Sequence, residues 1–172
     1  MTEGYGELAP GPVEPTMELA PEPEAETAVQ LAMPTKELAL RLLGKVSFAQ
    51  RLIGYKILML TRAKEVSICS LAEAIEFVEL CRQSFNRDKV LREDGRQFIA
   101  RLDLNSLRDW IGQTLNDTEL ATAITDEIGE DCKSRRVDIM GRDFLKHAVP
   151  IKGLMQQRLN QCKEIIGEET EA

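Results

Sequence analysis

The first 33 residues, MTEGYGELAPGPVEPTMELAPEPEAETAVQLAM, contain seven glutamates, five prolines and no lysine or arginine. A stretch of this kind cannot bury enough apolar surface to offset the entropy of ordering it. Residues 1–34, closed by Pro34, are therefore expected to form a disordered acidic tail. Any core must come from residues 35–167, a length that suits a single domain, with 168–172 as a frayed C-terminus. The tail also accounts for the charge. Of the 29 acidic residues seven are its glutamates, which leaves 22 against 22 Lys and Arg, so the net charge of −7 belongs to the tail alone. The acidic balance thus implies nothing about the partners of the domain itself.

Beyond residue 34 the chain is rich in Leu, Ala, Glu, Arg and Ile and poor in aromatics. Unbranched side chains and alanine lose little rotamer freedom in a helix, and no sustained alternation of β-branched residues marks a strand. The expected fold is all-α, a compact bundle of about five to seven helices. Thr35 is placed to cap a first helix through KELALRLLGKVSFAQRLIGYKILMLTRAK, with Leu38, Leu42, Val46, Ala49, Ile53 and Ile57 at helical spacing. So broad an apolar stripe implies a central helix or a homodimer face. Gly44 and Gly54 are candidate breaks within it.

Ser70 and Glu73 have the spacing of a capping box before LAEAIEFVELCRQSF. Asp94-Gly95 is a turn signal, and residues 96–104 suit a short helix with Phe98, Ile99 and Leu102 inward. Asp103, Asn105 or Ser106 then caps a helix in which Leu107, Trp110, Ile111 and Leu115 share a face, with Asp109 assigned to its first turn. Trp110, the only tryptophan, is read on this spacing as a core anchor. Asn116-Asp117 separates it from a further helix carrying Leu120, Ala123, Ile124 and Ile128 up to Gly129. A helix holding His147 is expected to end before Pro150, which opens a last helix bearing Leu154, Leu159, Cys162 and Ile166.

No arrangement of residues points to catalysis. Cys69, Cys81, Cys132 and Cys162 form no C-x-x-C pair and are expected as reduced, buried thiols. Glu73, Glu76 and Glu79 could ligate a metal pair only with histidines on partner helices, and the chain has one histidine, so they read as a solvated face. Asp126, Glu127, Glu130 and Asp131 resemble the acidic helix of all-α nucleotide pyrophosphatases, but no second acidic motif follows. No cofactor is expected. Charge remains uneven within the domain: residues 36–64 carry seven Lys and Arg against Glu37 alone. Lys45, Arg51 and Lys56, with Lys133, Arg135 and Arg136, are the candidates for an anion-binding face, on which a nucleic acid or the acidic tail itself could sit. No basic, apolar leader and no run of 18 apolar residues is present, so a cytoplasmic protein without a membrane span is the default.

The run Asn105-Ser-Leu-Arg-Asp-Trp-Ile-Gly-Gln-Thr-Leu-Asn-Asp-Thr-Glu-Leu-Ala resembles the signature of a small prokaryotic helical module of unknown function. That module reads Asn-Asp-Phe, Trp-Ile or Trp-Val, Leu-Gly-Asp and Leu-Ala. A Ser-Leu-x-Glu-Leu helix often precedes it, and Ser70-Leu71-Ala72-Glu73-Ala74 is similar. The resemblance covers residues 70–123. It departs where Ser106-Leu107 replaces Asp-Phe and where the module's histidine-containing stretch is missing. It implies an accessory module and carries no activity. The expected function is a non-enzymatic, helical protein-interaction or regulatory module with an unidentified protein partner. The alternative is nucleic-acid or polyanion binding through residues 36–64, modulated by the tail.

Overall fold

In the computed structural model, residues 29–58, 63–86, 90–129 and 142–167 are described. The expected tail up to residue 28, the basic cluster of Lys133, Arg135 and Arg136, Glu130, Asp131, Cys132 and the C-terminal 168–172 lie outside them. The fold is not an all-α bundle. It combines helices with a curled four-stranded antiparallel sheet. In chain order the elements are α1 (Lys36–Leu43), β1 (Leu52–Leu58), β2 (Ala63–Ile68), α2 (Leu71–Ser84), β3 (Arg92–Glu93), β4 (Arg96–Arg101), α3 (Leu104–Gln113), α4 (Thr118–Ile128) and α5 (Arg142–Gly167). The sheet runs β2-β1-β4-β3, so β1 is paired on both sides.

The long first helix expected from the sequence is the largest correction. Thr35 does cap a helix, its hydroxyl accepting from the Leu38 N–H, but that helix ends at Leu43. Gly44 takes an extended conformation while its N–H still bonds the Leu40 and Arg41 carbonyls. After a single 3-10 turn at Phe48–Gln50 the chain enters β1 and the β1–β2 hairpin. Val46, Ala49, Ile53 and Ile57 therefore do not continue the stripe of Leu38 and Leu42, and the described residues do not form the long helix expected through this stretch.

A second correction concerns residues 96–101, which form β4 rather than a helix. Asp94 and Gly95, with φ of 51° and 77°, both occupy the left-handed region that a two-residue type I′ hairpin turn demands. Residues 142–167 form one helix, not two. Pro150 inside it costs roughly 3 kcal/mol. Phe144, Ala148, Ile151, Met155, Leu159 and Cys162, spaced three or four apart and all buried, hold both halves of the helix on one core.

Where caps and apolar spacing agree, the expected helices form. Ser70 caps α2 by accepting from the Glu73 N–H (3.2 Å), and the Glu73 carboxylate returns to the Cys69 N–H (2.7 Å), one residue before the cap. Asp103 caps α3 and Asp117 caps α4. With α3 starting at Leu104, Asp109 falls beyond its first turn. Asn116, with φ of 59°, makes the tight left-handed step between α3 and α4.

One face of the sheet packs on α2. At Gly54 the approach is so close that a Cβ would lie 2.4 Å from Phe77 Cε1. A Gly54→Ala substitution should therefore lower stability by about 1–3 kcal/mol in denaturant unfolding, because the ring or the strand must shift. Combining it with Phe77→Leu should recover part of that loss; equal losses with and without the ring would show that this contact is not the cause. Helix α5 packs against α1, α2 and α4. The Glu79 carboxylate of α2 binds Arg82 (2.6 Å) and Lys152 of α5 (2.8 Å), and these cations hold its pKa far below the usual carboxylate range.

Residues 29–32, ahead of α1, are bonded to side chains of α4 and α5. Leu31 is buried. The Ala32 N–H donates to Glu119 (2.8 Å), the Ala32 carbonyl accepts from Arg158 (2.6 Å) and the Leu31 carbonyl from Gln161 (2.8 Å). The Gln157 carboxamide, oriented to satisfy both groups, donates to the Val29 carbonyl and accepts from the Leu31 N–H. Arg158 is fully buried and also meets Asp117, its Nε 2.8 Å from Oδ2, and Glu119, at 2.6 Å.

Candidate interaction surface

The strand alternation that sets Gly54 against α2 turns Ile53, Tyr55 and Ile57 to the opposite face of β1. Register places Ile99 beside Ile57 and Arg101 beside Tyr55 on β4, with Glu65 beside Tyr55 on β2. Ile53, Ile57 and Ile99 are half-buried, and Tyr55 is 39% exposed. This face presents apolar residues with a charged fringe.

At the start of β1 the face opens into a cleft of about 590 Å³ between β1 and α3, lined by Arg51, Ile53, Tyr55, Asp103, Asp109 and Trp110. The 3-10 turn beside it fixes the rim. Arg51 donates to the Phe48 carbonyl (2.8 Å) and its guanidinium lies 3.7 Å from the centre of the Phe48 ring, which is itself 66% exposed. Trp110 forms the inner wall. Its indole is buried, and its Nε1–H donates to the Gln50 carbonyl across the cleft at 2.7 Å. Trp110 is thus part of the core, and its one polar atom anchors the turn that displays Phe48 and Arg51. Asp109 is held by Arg108 (2.7 Å), while Asp103 is engaged in capping α3.

No family model, curated protein or solved structure matches this chain.

Of the candidate anion-binding residues, Lys45, Arg51 and Lys56 are among the described ones, and each is engaged within the domain. Lys45 pairs with Glu73 (2.7 Å), and this contact, with the Cys69 N–H, lowers the Glu73 carboxyl below its ordinary range. Lys56 pairs with Glu93 (3.1 Å), as does Lys64 (3.3 Å), and the two ammonium groups hold the Glu93 carboxyl down in the same way. Arg51 stands apart on Phe48. Glu127 contacts the buried His147 at 3.4 Å. Among the described residues no cluster of three His, Cys, Asp or Glu side chains could hold a metal ion, and no helix is long and apolar enough to cross a membrane. Cys69, Cys81 and Cys162 are free thiols, and burial pushes Cys81 up to about 12.

The surface residues Phe48, Tyr55 and Ile99 were not singled out as functional by sequence reasoning. The available signal was the alternation of Ile53, Tyr55 and Ile57, which a helical reading of the same stretch obscures.

Proposed function

We propose that this domain is a non-enzymatic protein-interaction module of the cytoplasm that binds its partner through the outer sheet face and the cleft at its end. One observation carries the proposal. An exposed phenylalanine stacks on Arg51, and Arg51 lines the same cleft as Ile53 and the exposed Tyr55 of a sheet face whose opposite side is already packed on α2. Aromatic residues and arginine are the side chains that dominate binding energy when a partner desolvates them. The resemblance of residues 70–123 to a prokaryotic accessory module supports the same class of role. The basic residues of 36–64 favour a polyanion less, because Lys45, Lys56 and Lys64 each face a carboxylate of the same domain.

The test is affinity capture with the full chain and with a Phe48→Ala/Tyr55→Ala variant in the presence of nuclease. Both side chains are solvent-exposed, so the variant should unfold within about 1 kcal/mol of the parent. Capture of a specific protein should be lost with the variant. Capture that survives the double substitution, or that disappears with nuclease, would overturn the proposal.

A further inference from the structure

The sheet ends on two strands of unequal length. β3 has two residues, whereas β2 has six. Among the described residues the main chain of Ala63–Ile68 bonds only to β1. One row of its N–H and C=O groups therefore faces outward, a template for a further strand. Beyond Ile68 the Val46 N–H already donates to the Cys69 carbonyl (2.7 Å), so the open length is β2 itself.

Along this edge β2 and α2 leave a groove of about 390 Å³ walled by Val66, Ile68, Glu76, Phe77 and Leu80. Val66 lies opposite Gly54 and so turns to the α2 side of the sheet, as do Lys64 and Ile68, two residues to either side. The charges beside the groove are incompletely matched. Glu73 is taken by Lys45 (2.7 Å), but Glu76, exposed one turn further along α2, has no ion pair among the described residues. The Lys64 side chain is 62% exposed and shares Glu93 with Lys56, which stays on that carboxylate if Lys64 turns away.

We propose that β2 pairs antiparallel with β2 of a second copy of this chain, with Val66 on the twofold axis. Pairing of two identical strands about an axis normal to the sheet places one residue opposite itself. With Lys64 or Glu65 on the axis, like charges meet directly, which destabilises a strand pair. With Ser67 on the axis only Val66, Ser67 and Ile68 of each strand are paired, because Cys69 is engaged by Val46. Val66 on the axis pairs every residue from Lys64 to Ile68: Lys64 with Ile68, Glu65 with Ser67, and Val66 with its own copy. Lys64 then crosses to the partner's Ile68, which lines the same groove as Glu76, and symmetry repeats the contact. β2 thus carries both halves of the match, an apolar residue for the groove and, two positions before it, a cation for the carboxylate. The two outer sheet faces lie on the same side of the joined sheet and stay uncovered.

The joint uses the sheet edge and not the outer face, so its failure leaves the interaction proposal standing. An edge of this length lies at the weak end of specific interfaces, so sedimentation velocity of the full chain should be carried up to about 1 mM. An ionic strength of about 0.15 M screens most of the repulsion between copies. The parent should pass from monomer to dimer as concentration rises. Lys64→Glu and Glu76→Lys should each weaken the dimer about tenfold, because like charges then meet at both symmetric contacts. The double variant restores opposite charges and should return to within about threefold of the parent. Both side chains are exposed, and an unchanged Tm checks that each variant keeps the fold. Amide exchange of the parent reads the joint without any substitution, since protection within residues 64–68 should rise with concentration. A chain that is monomeric at every concentration overturns the proposal. So does a dimer that is indifferent to the single substitutions, one that the double variant fails to restore, or one that leaves exchange in β2 unchanged.

Discussion

An Arg158→Met substitution should lower the free energy of unfolding by about 3–5 kcal/mol, the range expected when one member of a buried ion pair is removed. The cause is what remains behind. Asp117 is only 1% exposed, and its carboxylate would be left in the interior with the Leu120 N–H as its remaining hydrogen-bond donor. The Ala32 carbonyl and one oxygen of Glu119 lose their donor in the same step. Pairing Arg158→Met with Asp117→Asn should restore a large part of the loss, because asparagine still caps α4 and carries no charge to strand. Arg158→Lys should fall between, since an ammonium cannot address Ala32, Gln161, Asp117 and Glu119 with a fixed fork. Chemical denaturation of the four proteins measures all of this. A double variant as unstable as Arg158→Met would show that the buried charge is not the source of the loss.

Truncating Trp110 to alanine should cost a similar 3–5 kcal/mol, as for other large core aromatics. The indole lies among buried Leu107, Ile111 and Leu52 in the same core, and the cleft beside it gives water access to part of the vacated volume. Trp110→Phe separates its two roles. It keeps most of the packing and deletes the bond to the Gln50 carbonyl, so stability should fall by only about 1 kcal/mol. Partner capture should fall more than stability does, because the turn that holds Phe48 and Arg51 is then tied less firmly. Unfolding curves and capture on the same preparations check both. A Trp110→Ala protein with unchanged stability would place the indole in the role of a ligand contact instead.

The helices were legible where two independent signals coincide. Ser70, Asp103 and Asp117 are capping residues followed by apolar positions three and four apart, and each begins a helix. The sheet was hidden for a physical reason. A half-buried strand announces itself by apolar residues facing inward and polar ones outward, but β1 is arranged otherwise. Its α2-facing positions include Gly54 and Lys56, whose ammonium reaches Glu93 and the Phe98 ring, while Ile53, Tyr55 and Ile57 occupy the outer face. Apolar residues on both sides imitate a buried helix, and Val46, Ala49, Ile53 and Ile57 happen to follow a helical count as well. Asp94-Gly95 was the local clue that pointed the right way, since it forms the hairpin turn between β3 and β4. The candidate surface was obscured along with the strand that carries it. The hold of α4 and α5 on residues 29–32 leaves no pattern in the chain at all, because it is made through main-chain groups by side chains 87 to 130 positions away.

That separation bears on how the domain is made. The two hairpins close over short stretches and need little beyond their own residues. Helix α5 is the last of the described elements, yet it is the surface against which α1, α2 and α4 pack and to which residues 29–32 are bound. Contacts between such distant parts of a chain are slow to form. During synthesis from the N-terminus the apolar sides of the earlier helices, among them Leu42, Val78 and Ile124, stay without their cover until α5 has left the ribosome. The growing chain is therefore at its most vulnerable to aggregation over the span between the end of α4 and the completion of α5.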